Sequence, residues 1–221
     1  MKYIKKFSTP TDRESFLASV NNIPETPYIH LVESTGDVIF SSPEVDIPLY
    51  VKALANFTVK FSNKYEYSKD NVTWTSATSS TSISVTKGER VFFRATGLTP
   101  SLSSGIGTFT IGGNCNVGGN VMSMVYGEDF KGQTEITESY QFYYLFRYCS
   151  NIIDASGLVL PATTLANSCY QSMFSGCTSL TTAPELPATT LEESCYSHMF
   201  SGCTSLTTAP KLPATTLADN C

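Results

Sequence analysis

The hydrophobic and polar positions of the first part of the chain predict short, separate elements. Residues 10–21 carry an apolar stripe at helical spacing behind Pro10, which suits the first turn of a helix, so the pattern predicts a short amphipathic helix. Two apolar runs, at 28–33 and 37–41, flank the sequence Ser-Thr-Gly, which is typical of a β-hairpin. The pattern therefore predicts a small N-terminal helix plus β-hairpin unit over residues 1–43.

From residue 44 onward the pattern changes to short apolar alternation between glycine-rich and polar turns. The runs that predict strands and hairpins lie at 57–61, at 65–70 with 72–76, and at 82–85 with 89–96. Such spacing predicts a β-sandwich-like domain over 44–125. We expect Trp74 in the core or on a sheet face, and the alternative role is a platform that stacks on carbohydrate. The acidic stretch 126–137 is predicted to be a linker.

The last third of the chain is an internal repeat. Residues 169–194 and 195–220 are identical at 20 of 26 positions, and a divergent, aromatic copy precedes them, with its clearest match at 145–165. A unit of this size cannot bury its own apolar face. We therefore expect successive copies to stack, so that equivalent residues lie over one another and form a continuous core.

Each copy of the repeat is predicted to have a helical half and an extended half. Tyr170, Met173 and Phe174 fall at i, i+3 and i+4, which predicts one face of a short helical turn. Gly176 follows at a position where a left-handed residue would end that turn. Two prolines per copy exclude helix from the remainder. The apolar positions expected inside the extended half are Leu180, Leu186 and Leu191, and in the next copy Leu206, Leu212 and Leu217.

The repeat sequence resembles a known family. The pattern MFxGCxSLTxAPxLPATTLxxxCYxxMFxGC is similar to the BspA-type leucine-rich repeats of bacterial surface proteins, especially those of gut Bacteroides. The resemblance extends over 138–221. It implies a mainly β fold with some short helices that ends in a leucine-rich-repeat solenoid of ~26-residue coils. It also implies a location at the cell surface or outside the cell, and binding to host proteins, glycans or other cells.

The cysteines follow the same period as the repeat. Cys169, Cys195 and Cys221 form one column, and Cys149, Cys177 and Cys203 form the other. We expect them to be buried thiols that pack as small hydrophobic groups, and the alternative is a metal site or disulfides between columns. The pair Cys195 and His198 could suggest a Cys–His nucleophile. Ser172 occupies the place of His198 in the preceding copy, so we expect no catalytic role there.

The positions that differ between the two regular copies are polar or small, so we place them on the outer surface. The candidate ligand-facing residues drawn from them are Gln171, Glu185, Ser197, His198 and Lys211. The alternative is that they are solvated loop positions without a ligand.

Composition narrows the function classes. The net charge is −5 with 14 Lys and Arg, which disfavours nucleic acid as a partner because phosphate contacts need clustered basic residues. No apolar run approaches the ~20 residues of a membrane span. With two histidines and no known catalytic or metal-binding motif, we expect no catalytic residue, no metal and no cofactor. We also expect a monomer.

Two expectations concern processing. Lysines near Met1 are not followed by an apolar segment, so no signal peptide is recognised in the chain. The sequence stops at Cys221, the first residue of another copy of the repeat, so we expect it to be a fragment of a longer protein.

These observations favour a non-enzymatic binding or adhesion module of a bacterial surface or secreted protein. Its partner would be a protein or glycan ligand on a cell surface. One alternative is a structural or receptor-binding protein of a phage or mobile element. A second alternative is an accessory module of a carbohydrate-active enzyme. A glycosidase is disfavoured because none of the 19 Asp and Glu residues lies in a recognisable motif.

Overall fold

A computed structural model of the chain describes residues 3–5, 29–31, 38–40, 43–96, 98 and 105–221. The chain divides into two compact units, Met1–Ile47 and Pro48–Cys221. The helix expected over 10–21 lies outside the described residues. The boundaries predicted at residues 43, 125 and 137 stay predictions.

The described part of the first unit contains a three-stranded antiparallel sheet. Its strands are β1 (Tyr3–Lys5), β2 (Ile29–Leu31) and β3 (Val38–Phe40), in the order β1-β3-β2. The pairing of β2 with β3 is antiparallel, as the hairpin pattern over 28–33 and 37–41 predicts. A 3-10 turn follows at Pro43–Asp46.

In the part of the second unit that the structure describes, there are nine strands and one short helix. The strands are β4 (Tyr50–Ala53), β5 (Phe57–Phe61), β6 (Tyr65–Ser68), β7 (Thr75–Ala77), β8 (Ile83–Val85), β9 (Arg90–Arg94), β10 (Phe109–Ile111), β11 (Cys115–Asn120) and β12 (Ile152–Val159). The helix α1 covers Ser123–Tyr126, and a 3-10 turn at Gly127–Phe130 follows it.

These strands form two sheets. The larger sheet has the order β12-β11-β4-β9-β6-β7, and the smaller has the order β10-β5-β8. The hairpin predicted at 65–70 with 72–76 is confirmed by the antiparallel pair β6 and β7. The hairpin predicted at 82–85 with 89–96 is wrong, because β8 pairs with β5 in the smaller sheet while β9 joins β4 and β6 in the larger one.

One hydrophobic core runs through the second unit. Val59 and Phe61 of β5 are fully buried, and they alternate with exposed Thr58 and Lys60, which is the two-residue period of a half-buried strand. The ring of Phe93 on β9 contacts the ring of Phe109 on β10 edge to face, and the two ring centroids are 5.0 Å apart. The core therefore joins both sheets, and it extends into the repeat copies through their buried aromatic and sulfur-containing residues.

The repeat copies contain successive turns with a regular backbone rhythm. Every fourth residue of the turn segments has a positive φ. These residues are Tyr140, Tyr144 and Tyr148 in the first copy, Ser168 directly before the second, Ser172, Gly176 and Ser194 in the second, and His198, Gly202 and Asn220 in the third. The left-handed residue expected at Gly176 is confirmed. The helical turn expected before it is wrong, because a left-handed residue every four positions interrupts a right-handed helix.

Hydrogen bonds in these segments alternate between two directions. The N–H of Met173 donates to the carbonyl of Tyr170 within the same copy, at 3.2 Å. The N–H of the next residue, Phe174, donates to the carbonyl of Met199 in the following copy, at 2.9 Å. The same alternation recurs from Tyr140 onward, so consecutive copies are joined through turns.

The predicted leucine-rich-repeat solenoid is wrong, and so is the overall fold class with a β-sandwich-like domain and a separate solenoid after it. Within the described residues, no strand or helix follows β12, so the copies lack the strand that a leucine-rich repeat contributes per coil. Proline at positions 184 and 187 removes two backbone donors from the extended half. In addition, β12 lies within the sequence of the predicted solenoid, yet it pairs in parallel with β11 and so belongs to the larger sheet.

The apolar positions expected inside the extended half are buried in the second copy. Leu180, Leu186 and Leu191 are 0%, 7% and 8% exposed. In the third copy the equivalent Leu212 and Leu217 are exposed.

Candidate functional site: an aromatic surface on the first copy

The first copy of the repeat places a cluster of tyrosines and one arginine on its outer side. Tyr140, Tyr143, Tyr144 and Arg147 are partly buried, while Tyr148 is 67% exposed. We call these five residues the aromatic surface. The residues between them supply the inner side, where Phe142, Leu145 and Phe146 are fully buried.

Three of these tyrosines have a strained backbone. Tyr140, Tyr144 and Tyr148 have φ values of 61°, 65° and 60°. A bulky L-residue in this region is an outlier that costs on the order of 1–3 kcal/mol, and such residues cluster at ligand-binding and active sites. The second and third copies have serine, histidine or glycine at the equivalent positions. The first copy therefore differs from the other two in having large aromatic residues at the positions of positive φ, where the backbone conformation is least favourable for them.

The side chains of the aromatic surface contact one another. The rings of Tyr143 and Tyr144 stack with centroids 3.6 Å apart, and Tyr140 meets Tyr143 edge to face at 5.5 Å. The guanidinium carbon of Arg147 lies 3.9 Å from the centroid of Tyr144 and 4.5 Å from that of Tyr148. Arg147 Nη2 also donates a hydrogen bond to the Tyr148 hydroxyl, at 2.9 Å.

Charge and protonation at this surface follow from these contacts. The Arg147 cation is held by the negative faces of two rings. Its Nε is buried, and no hydrogen-bond partner for it lies among the described residues. Burial, with a smaller contribution from the hydrogen bond to Tyr144, raises the pKa of Tyr143 to about 12, so its phenol stays protonated at neutral pH. The surface thus offers ring faces, phenol groups and one positive charge.

Neighbouring glycines allow this arrangement. Gly176 of the second copy lies under the Tyr148 ring, and a Cβ there would collide with that ring. Gly105, with φ of 60°, packs against the backbone of the first copy, and a Cβ on it would lie 2.5 Å from the carbonyl oxygen of Tyr143. Both glycines are therefore required by close approach as well as by their positive φ.

The ligand-facing residues predicted from the sequence lie on the second and third copies. Glu185, His198 and Lys211 are exposed, whereas Gln171 and Ser197 are partly buried. Ser197 Oγ lies 2.9 Å from Nδ1 of His198, its neighbour in the sequence. The carbonyl of Gln171 accepts a hydrogen bond from the N–H of Tyr144 at 3.4 Å, which places its backbone next to the aromatic surface.

His198 also lines an apolar groove of about 350 Å³ on the third copy. Tyr196, Leu212 and Cys221 contribute to its walls. Whether the predicted residues contact a ligand stays a prediction.

Trp74 is half-buried and carries a cation on one face. The guanidinium carbon of Arg94 lies 4.1 Å from the Trp74 ring centroid. Arg94 is held in turn by an ion pair between its Nε and Glu66, at 2.7 Å, and by Glu128. One face of the indole is thus covered by the protein itself, which leaves less of it for stacking on a carbohydrate.

Six of the seven cysteines are buried, and Cys221 is half-exposed. Burial raises the pKa of Cys115, Cys149 and Cys169 to about 12. In the second column each thiol donates to a backbone carbonyl outside its own copy, with Cys177 bonded to Phe146 at 3.1 Å and Cys203 bonded to Phe174 at 3.1 Å. These buried thiols fit the packing role that the repeat pattern predicts.

Comparisons with known proteins identified no relative of the chain. No family model, no curated protein and no solved structure matches the chain. Among the described residues, no helix has the length and apolar character needed to cross a membrane. In the same part of the chain, no group of three or more His, Cys, Asp or Glu side chains is placed to hold a metal ion.

The sequence interpretation did not identify the aromatic surface, although a signal for it is present. Aligning Leu145, Phe146 and Cys149 with the second copy places Tyr148 at the position of Gly176. A tyrosine in the place of a glycine that ends a turn indicates a backbone held in an unfavourable conformation. That substitution alone could have singled out the first copy.

Proposed function

We propose that the chain is a non-enzymatic binding module whose ligand is a protein or glycan on a cell surface, contacted through the aromatic surface. The observation that carries the proposal is the set of three tyrosines held at positive φ. Strain of this kind persists where surrounding structure imposes it and where the side chain has a use. Tyr148 makes the argument clearest, because its ring is mostly exposed and packing alone does not explain it.

The chemistry of the aromatic surface suits recognition. Tyrosine and arginine are enriched among the residues that dominate binding energy, since both combine a large apolar face with hydrogen-bonding groups. Tyrosine also loses little side-chain entropy when it binds. The stacked rings and Arg147 restrain one another before any ligand arrives, which lowers the entropy lost on association.

The location and ligand class rest on sequence. The resemblance of the repeat to BspA-type surface proteins supports a role at the cell surface. The low content of Lys and Arg supports a ligand other than nucleic acid.

The test is a binding screen followed by matched variants. The full chain would be screened against a glycan array and against extracellular-matrix proteins at micromolar concentration. For any ligand found, Tyr148→Gly removes the ring and relieves the positive φ, whereas Tyr148→Ala removes the ring and keeps the strain. We expect both to raise Kd by at least about tenfold, which is about 1.4 kcal/mol. We expect the glycine variant to be more stable than the alanine variant by about 1 kcal/mol.

The control is His198→Ala, which alters a predicted ligand-facing residue on the third copy and leaves the aromatic surface intact. We expect it to keep the wild-type Kd. Loss of binding in His198→Ala with full binding in both Tyr148 variants would move the site to the predicted residues. Absence of binding to every member of both panels would count against the proposed function.

A further inference from the structure

Two cysteines of the first column face each other. Cys195 Sγ and Cys221 Sγ are 2.7 Å apart. The two residues occupy equivalent positions of consecutive copies, 26 residues apart in the sequence. The backbone holds them there, because the N–H of Ser194 donates to the carbonyl of Asp219 at 2.9 Å.

The distance between the two sulfurs suits a disulfide. The hydrogen bond from Ser194 to Asp219 also holds the adjacent backbones close together, and disulfides need such closeness because the Cα atoms of the two cysteines lie roughly 4.4–6.8 Å apart. A disulfide bond is about 2.05 Å long, so two sulfurs that are 2.7 Å apart lie close to bonding distance.

The thiols of the second column are directed elsewhere. Cys149, Cys177 and Cys203 donate to the carbonyls of residues 109, 146 and 174. Access differs within the pair, because Cys221 is half-exposed while Cys195 is fully buried. Cys221 is therefore the more accessible residue of the two to a reagent in solution.

We propose that Cys195 and Cys221 are a redox pair that forms a disulfide between consecutive copies when a small-molecule disulfide such as oxidised glutathione is present. The Cys221 thiolate attacks one sulfur of that compound, forms a mixed disulfide and expels one equivalent of thiol. Cys195 then loses its proton and attacks the Cys221 sulfur, which expels the second equivalent. The two protein thiols are oxidised, the small-molecule disulfide is reduced to two thiols, and the two protein protons pass to the products.

The bond has a defined structural effect. It closes a loop across the third copy, and closing a loop restricts the unfolded chain. We therefore expect the oxidised protein to unfold at a higher urea concentration than the reduced protein. The burial that raises the pKa of the Cys195 thiol slows the second step, so the mixed disulfide precedes the intramolecular bond.

The test is oxidation of the full, reduced chain with oxidised glutathione, followed by mass spectrometry without reduction. We expect a monomer that is lighter by about 2 Da, with two of its seven thiols lost. Cleavage after Glu193 and after Lys211 would then leave residues 194–211 joined to 212–221. Cys195→Ser and Cys221→Ser should each abolish this cross-link and the shift in urea midpoint, whereas Cys203→Ser, which alters the other cysteine of the 194–211 fragment, should keep both.

Three results would overturn the proposal. One is a cross-link that survives Cys195→Ser, since another cysteine would then be the partner of Cys221. The second is a stable mixed disulfide at Cys221 that does not resolve. The third is retention of all seven thiols after prolonged oxidation.

Discussion

Phe109 and Phe146 stack face to face, with ring centroids 5.2 Å apart and ring planes inclined by 20°. Phe109 belongs to β10, and Phe146 belongs to the first copy of the repeat. The stack continues through Phe174 at 5.3 Å and Phe200 at 5.8 Å. A β-strand therefore provides the first rung of an aromatic ladder that the repeat copies extend, and the N–H of Phe109 donates to the carbonyl of Leu145 beside it.

This ladder predicts a gradient of stability. Phe146 is fully buried between two rings, so Phe146→Ala should lower the free energy of unfolding by about 3–5 kcal/mol through lost burial and a residual cavity. Phe200 is only half-buried and stacks on Phe174, so Phe200→Ala should cost less than about 2 kcal/mol. Urea unfolding of both variants checks this. Equal losses would contradict a ladder anchored on β10.

The sequence predicts the ladder in part. Identical copies at a fixed spacing require equivalent residues to stack, which is why Phe174 over Phe200 and Tyr170 over Tyr196 follow from the repeat alone. The role of Phe109 does not follow, because it lies outside the repeat and its partner is 37 residues away, a non-local pairing that no local pattern contains.

The backbone of the repeat shows where local reasoning fails. The spacing of i, i+3 and i+4 predicts that Tyr170, Met173 and Phe174 lie on one face of a helix. In the structure the three side chains are buried, but the backbone that carries them is a series of turns and not a helix. Left-handed residues at Ser168 and Ser172 are responsible. Serine carries no strong preference for that conformation, and the hydrogen bonds to the next copy impose it. Only Gly176 and its counterpart Gly202 indicated a left-handed residue in advance.

The glycines of consecutive copies offer a matched pair for testing the contact under the aromatic surface. Gly176 and Gly202 have φ values of 77° and 75°, so alanine at either position incurs the same backbone strain, about 1 kcal/mol. At Gly176 a Cβ also collides with the Tyr148 ring, whereas at Gly202 its nearest neighbours are backbone atoms of Gly176 at 3.6 Å. We expect Gly176→Ala to be clearly more destabilising than Gly202→Ala.

Double variants identify the source of that difference. If the Tyr148 ring causes it, Tyr148→Gly should bring the cost of Gly176→Ala down to that of Gly202→Ala, because coupling between contacting residues disappears with the contact. The same background should leave the cost of Gly202→Ala unchanged. Chemical denaturation would measure the free energy of unfolding of the wild-type chain, of the three single variants and of the two double variants that contain Tyr148→Gly. If Gly176→Ala remains more destabilising than Gly202→Ala in the Tyr148→Gly background, the Tyr148 ring is not the cause of the difference.

Asp70 should make the turn between β6 and β7 sensitive to acid. Its Oδ1 accepts hydrogen bonds from the N–H groups of Thr73 at 2.7 Å and Val72 at 2.8 Å, and from the Ser68 hydroxyl at 2.8 Å. These bonds, led by that from Thr73, hold the pKa of Asp70 well below its ordinary value of 3.8. Because the folded-state pKa is lowered, the stabilisation is present above pH 3.8 and is lost as the pH falls through the folded-state value.

The measurement compares the wild-type chain with Asp70→Asn across acidic pH. Asparagine keeps an oxygen acceptor and removes the charge. We expect the wild-type chain to be the more stable of the two at neutral pH, and the two proteins to converge as the pH falls below the ordinary carboxyl range. A stability difference that stays constant from neutral to strongly acidic pH would assign the effect to hydrogen-bond geometry and not to charge.

The buried thiols predict the opposite dependence at alkaline pH. Burial raises the pKa of Cys115 and Cys149 from 9.0 to about 12. Since the folded-state pKa is raised, this stabilisation is complete below pH 9 and is lost as the pH rises toward 12, because the unfolded chain releases protons that the folded chain retains. Each such thiol contributes a slope of about 1.4 kcal/mol per pH unit to the free energy of unfolding.

Cys115→Ala isolates one thiol from the other groups that titrate in this range. Near pH 7.5 the variant should be less stable than the wild-type chain, since it loses a buried side chain on β11. Between that pH and about pH 10.5 the gap should narrow by about 2 kcal/mol, because only the wild-type chain must keep that thiol protonated in order to stay folded. Urea unfolding in the presence of a reductant at both pH values measures the two gaps. A gap of constant size would show that Cys115 ionises in the folded protein as readily as in the unfolded chain, and would contradict the enclosure of its thiol by the core.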